Sequence, residues 1–318
     1  MAEAVLRPIS TRRRVGVFYL LATLLAWAGW IPYAAQQAWG LGWRIPVEVP
    51  VLAQYSPTIA ALALITMDGG IAGLGRFLGT ALEWRVGPRW YAVALFTAPT
   101  MGAALIGLHA LLGTPPPSLL ALRDWPDHVA NFVQSSIQLG PNTSVGPLGA
   151  LKGWAASGAL QATLVILGLA IANGGISEEA GWRGYALPGL LPGRRALVAA
   201  LWLGVMWGLW HTGPNFWLGV FQSRWSVLSI PIEYCLGTLP LSVLICWVFI
   251  NARRSLLPGI LFHGSYNATF FFLTALWTPG KPVVSLLEWV GATIVAALLA
   301  IFIGRRTLFA RVPRNEQP

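Results

Sequence analysis

Glu178, Glu179, Arg183, His211, His263 and Asn267 stand within or at the ends of long apolar runs. Ionisable groups in hydrocarbon are costly, so each is a functional candidate by default. Glu179 and Arg183 are four residues apart, and a helix sets them on one face as an ion pair. Glu178 then points about 100° away. The arginine holds one carboxylate and leaves the other to face a cavity. His263 and Asn267, also four apart, converge on one point, and Trp207 lies one turn before His211 on the same face. A carboxylate, two histidines and an asparagine on three helices can assemble a hydrolytic site. The carboxylate acts as general base on a water, and one histidine helps to polarise it. The other histidine and the asparagine hydrogen-bond the oxyanion that develops on a scissile carbonyl.

Each group also has a plainer reading. Glu178-Glu179 with Arg183 is also what a charge pair closing a spanning helix looks like, and His211 a hydrogen-bonded packing residue. His109, Glu233 and Glu288 lie near the outer ends of their runs and read as solvated interfacial residues. Other chemistries are thinner. No His-Glu-x-x-His occurs, Ala155-Ala156-Ser157-Gly158 lacks the first glycine of a Gly-x-Ser-Gly serine site, and no glycine-rich phosphate loop is present. The base mechanism requires no cofactor. Zinc on Glu178, His211 and His263 is chemically plausible, because three protein ligands plus water form the usual catalytic shell.

The elements that must position these groups follow from composition. The chain has 318 residues, 56% of them hydrophobic and 10% charged, with a mean hydropathy of +0.63. A soluble domain carries about 25% charged residues. That excludes a soluble enzyme, a disordered tail and a secreted disulfide scaffold. Long apolar runs cover residues 16–39, 51–67, 89–113, 154–177, 196–220, 227–250, 256–278 and 283–303, each near the roughly 20 residues a spanning helix needs. The run with Pro57 is the shortest and least regular. The expected fold is all-α: a polytopic integral membrane protein of about eight transmembrane helices. It forms a single transmembrane domain over 1–318, with N-terminal helices over 16–113, a long outer loop at 114–153 and a catalytic helical core over about 154–278.

The net charge of +10 would suggest nucleic acid in a soluble chain, but here it is topology. With the N-terminus inside, 15 basic residues fall on inner segments and five on outer ones, Arg183 aside. That bias places both termini in the cytoplasm of a multi-pass cell-membrane protein. Thr11-Arg12-Arg13-Arg14 then begins a retained first helix and not a cleaved signal. Residues 70–85 put Ile71, Leu74, Phe77, Leu78 and Leu82 on one face, as an amphipathic helix at the inner interface does. Asn142-Thr143-Ser144 matches a glycosylation sequon, a pattern common by chance. Cys235 and Cys246, 11 apart in one run, cannot bridge within a straight helix.

At these residues the chain resembles the CPBP intramembrane glutamic endopeptidases, which include the CAAX prenyl endopeptidases and bacteriocin-immunity relatives. The family pattern is Glu-Glu-x-x-x-Arg, Phe-x-x-x-His and His-x-x-x-Asn on separate transmembrane helices. The first is intact at Glu178, Glu179 and Arg183, and the third at His263 and Asn267. The second reads Trp207-x-x-x-His211, with tryptophan in place of phenylalanine. The resemblance covers residues 178–267. It implies that Glu178 is the general base, that His211 shares activation of the water, and that His263 and Asn267 stabilise the oxyanion. Glu179 and Arg183 support them. The implied partners are the lipid bilayer and a membrane-associated or lipidated peptide substrate, and no nucleic acid. The rival readings are a non-catalytic membrane scaffold of immunity type, and a proton-coupled transporter using Glu178 and His211 as a relay.

One spacing is awkward for a shared site. His211 lies about 24 Å along a straight helix from Arg195, but His263 only about 10 Å from Leu256. A reentrant turn at Leu187–Pro192 would start the fifth helix below the membrane surface and bring the two level.

Overall fold

The computed structural model describes residues 12–39, 45–46, 48–113, 123–136, 147–213, 226–275 and 285–313. The sequon and Arg7, Arg44, Arg224, Lys281 and Arg314 lie outside them. The described chain is helical, apart from two isolated bridges, as the composition requires. Helix α1 covers Arg12–Trp39, α2 Glu48–Gln54, α3 Ser56–Ala81 and α4 Pro88–Leu111. Two short helices follow, α5 over Trp125–Ser136 and α6 over Pro147–Ala156, so the expected outer loop carries helical structure of its own. Helix α7 runs over Ala159–Leu190, α8 over Ala196–His211, α9 over Ser226–Asn251, α10 over Leu256–Ala275, α11 over Leu286–Ile303 and α12 over Arg305–Leu308.

Among the described residues six helices are long and apolar enough to cross a membrane: Arg14–Gln36, Ser56–Ala81, Pro88–Leu111, Ala159–Leu190, Leu228–Asn251 and Leu286–Ile303. The protein is an all-α polytopic membrane protein. The other two expected spans fall on α8, only 16 residues long in the described chain, and on α10, where His263, Ser265 and Asn267 dilute the hydropathy. The run with Pro57 is a full helix after all. Its proline lies in the first turn of α3, where a missing N–H costs nothing.

Helix α3 bends at Gly70, whose φ of 58° suits a residue without Cβ. Beyond the bend the helix covers most of the expected interfacial segment. Its Gly73 and Phe77 face the core, and Ile71, Leu78 and Leu82 remain exposed.

Close packing of small residues sets the site helices together, as expected where lipid removes the hydrophobic drive between helices. Gly204 and Gly208 let α8 lie against Leu239, Thr238 and Cys235 of α9. Thr238 Oγ1 donates to the Gly204 carbonyl and Ser242 Oγ to that of Ala200, both at 2.9 Å; such bonds contribute about 0.6 kcal/mol each in membranes. A Cβ on Gly181 would lie 2.5 Å from the Pro57 carbonyl oxygen, and one on Gly175 would lie 2.6 Å from that of Ile260. Helix α7 is therefore wedged between α3 and α10. Edge-on aromatic contacts tie α1 to this unit, with Phe18 at 5.4 Å from Trp182 and Trp30 at 4.8 Å from Trp210. The two cysteines are free, Cys246 buried and Cys235 half-buried in α9.

Candidate active site

The Glu-Glu-Arg cluster does not end a spanning helix. It lies inside α7, whose helix continues to Leu190, and Glu178, Glu179 and Arg183 are 2%, 0% and 0% exposed. Wide π-helical turns flank it at Ile171–Ile176 and Trp182–Ala186. Such turns loosen the i to i−4 ladder, and freed carbonyls need other donors. The preceding elements provide them. Gln54 Nε2, at the end of α2, donates to the Asn173 carbonyl at 3.0 Å, and Thr58 Oγ1 of α3 donates to that of Ile176 at 2.9 Å.

The two adjacent carboxylates have separate surroundings. Glu178 Oε1 accepts from Gln54 Nε2 at 2.6 Å, and Oε2 accepts from Trp207 Nε1 at 2.5 Å. Glu179 Oε1 accepts from Arg183 Nη1 at 2.9 Å and from His263 Nδ1 at 2.8 Å. The i, i+4 spacing thus yields the expected ion pair, and the neighbouring carboxylate is left to other partners. Trp207 lies between the groups. Its ring is 5.2 Å from that of His263 and 5.9 Å from that of His211, and the Arg183 guanidinium carbon is 4.6 Å above it.

The histidines are fixed by bonds that settle their tautomers. A backbone carbonyl only accepts, so His211 Nδ1, 3.0 Å from the Trp207 oxygen, carries the proton and leaves Nε2 as acceptor. His263 likewise commits Nδ1–H to Glu179, and its Nε2 points the other way. A Cβ on Gly174 would lie 2.9 Å from His263 Nε2 and 2.5 Å from Asn267 Nδ2. The two side chains therefore converge over a glycine, as their spacing predicts. His211 joins the cluster through Trp207 and stacks on Tyr234 at 5.7 Å.

Two expectations need revising. Leu187–Leu190 continues α7 as helix and is not a reentrant turn. The reversal falls at Pro192–Arg195, paired with Arg311 and Val312. His109 and Glu288 are not simply solvated, because His109 Nε2 meets Glu288 Oε1 at 2.9 Å across α4 and α11. Among the described residues no three His, Cys, Asp or Glu side chains are grouped to hold a metal. One site residue escaped sequence reasoning. Gln54 is an amide in an otherwise apolar run, a signal of the same kind as His211, but it belongs to no motif.

The site is thus a buried polar centre on membrane helices packed through glycines. Residues 160–269 match the family model described as type II CAAX prenyl endopeptidase Rce1-like. The "CAAX prenyl protease 2" of Methanococcus maripaludis is 33% identical over 96 residues, or 28% of this chain and 34% of that protein. The chain thus spans about a third of the length of the curated relative it matches. The matched segment carries Glu178, Arg183, His211, His263 and Asn267 and is similar to these proteases.

Proposed function

We propose that the protein is an intramembrane endopeptidase with Glu178 as its general base. The observation that carries this reading is the division of labour between two neighbouring carboxylates. Glu179 is consumed by Arg183 and His263, and Glu178 is held only by neutral N–H donors from Gln54 and Trp207. Glu178 takes a proton from a water, and His211 Nε2 accepts a hydrogen bond from the same water. The hydroxide attacks the scissile carbonyl carbon, and the oxygen becomes an oxyanion beside Asn267 Nδ2 and His263 Nε2. Donation from Nε2 requires the doubly protonated ring, for which Glu179 is the counter-ion. When the tetrahedral intermediate collapses, the C–N bond breaks and the proton held by Glu178 passes to the leaving amine. Preorganised donors of this kind contribute about 2.7–4 kcal/mol each to barrier lowering.

The substrate in this reading is a membrane-associated peptide. A prenylated C-terminal peptide is the first to try, given the name of the Methanococcus relative. The test is reconstitution of Glu178→Gln in liposomes with such a peptide and chromatography of the released fragment. Turnover falls by about 10²–10⁴-fold with the unfolding midpoint unchanged. A variant that cleaves within twofold of the parent removes Glu178 from the role.

A further inference from the structure

We infer that the ends of α4, α9 and α11 form a binding site for the phosphate headgroup of an anionic phospholipid. Two adjoining cavities of about 340 and 440 Å³ open there and share Arg89, Trp90 and Asn251. Each is within the range of ordinary ligand sites, about 300–1,000 Å³. Arginines reach the rim from three separate elements: Arg89 in the first turn of α4, Arg253 in the turn after α9 and Arg306 in α12. All three are exposed, and none of the lining residues is acidic. Below the rim the wall is apolar, with Val93, Trp247 and Ile303. Trp90 and Trp247 meet edge-on at 5.3 Å, and the Arg89 guanidinium carbon is 5.1 Å over the Trp90 ring.

The same corner has a further donor. The first turn of α4 has no side-chain cap at Gly87; Pro88 has no N–H and that of Trp90 donates to the Gly87 carbonyl, which leaves that of Arg89 to an anion. Asn251 donates to the Trp247 carbonyl and to Thr307 Oγ1, which fixes the floor between α9 and α12. A cationic rim over an apolar wall fits a lipid better than free phosphate, because only the lipid has chains to lie along Val93 and Ile303. The arginine bias assigns this end of the bundle to the cytoplasmic side, where anionic lipids collect and basic pockets between helices take their headgroups. None of these residues touches the Glu178 centre, so the inference is independent of the proposed activity.

The test uses full-length protein in detergent micelles, offered phosphatidylglycerol or phosphatidylcholine, with retained lipid counted by native mass spectrometry. The parent retains phosphatidylglycerol at least tenfold better. Arg89→Gln/Arg253→Gln/Arg306→Gln loses that preference, and the charge-matched control Arg76→Gln/Arg85→Gln/Arg311→Gln keeps it. Equal loss in both triples, or none in the first, overturns the inference, as does displacement of the lipid by millimolar inorganic phosphate. Should the first triple fail to fold, the exposed single variant Arg306→Gln decides. It loses about fivefold, and Arg306→Lys restores most of it. Unchanged retention in Arg306→Gln overturns the site.

Discussion

The interior pairing of Glu179 with Arg183 and His263, and the edge pairing of His109 with Glu288, look alike by distance. The contacts are 2.9 and 2.8 Å in the first and 2.9 Å in the second. Exposure separates them: Glu179 and Arg183 are 0% exposed, against 41% for the Glu288 side chain. The lesson concerns what happens when a partner is removed. Inside, the remaining charge has neither water nor a substitute partner. At the edge, headgroups or water take over. Short distance alone therefore does not mark an important pair, and the substitutions below separate the two regions.

The largest effect falls on the interior pair. Arg183→Met leaves Glu179 buried with only His263 and destabilises the protein by about 3–5 kcal/mol, measured as unfolding in mixed micelles. Adding Glu179→Gln to it recovers part of that loss. A single variant as stable as the parent breaks the contrast. Next comes Gln54→Leu, which removes one N–H donor from Glu178 and frees the Asn173 carbonyl. The lower end of the range for a bond to a charged group, about 1.5 kcal/mol, makes turnover about tenfold slower. Equal cleavage rates would show that Gln54 serves α7 geometry only.

Trp207→Phe keeps the ring against His263 and Arg183 but loses the indole N–H. It costs less, a few-fold in turnover, because phenylalanine is what the family pattern has at this position. A loss as large as that of Gln54→Leu would mean that the indole bond is the stronger hold on Glu178. Smallest is Glu288→Gln, which keeps an oxygen for the Ser285 cap and weakens only the contact with His109. Stability changes by less than about 1 kcal/mol; a change as large as that of Arg183→Met would erase the distinction between the regions.

Much of this arrangement was legible beforehand, and the reasons for the rest are specific. Apolar runs located the helices because spanning length and hydropathy are local properties. The spacing of Glu179 to Arg183 and of His263 to Asn267 gave their shared faces, since one helical turn is also local. The position of Glu178 inside α7 was not legible, because a buried and compensated charge has the same letters as one that ends a helix. Nor was Gln54. Its partner is 124 positions away, and only tertiary packing reveals that an amide in an apolar run has an acceptor. The turn at Pro192–Arg195 depends on Arg311 and Val312 at the far end of the chain, which no window of sequence connects.

The two wide turns in α7 have a consequence for how such a helix can change over generations. Each accommodates one residue more than an α-turn would, so depth along the axis and angle around it become separately adjustable. Deleting a single residue within Ile171–Ile176 would restore a regular α-turn and leave the Glu178 side chain near its present angle, whereas the same deletion in a regular turn would rotate it by about 100°. The apolar profile would hardly alter. A wide turn thus lets a membrane helix gain or lose a residue while its acidic centre keeps its aim and its insertion into lipid stays the same.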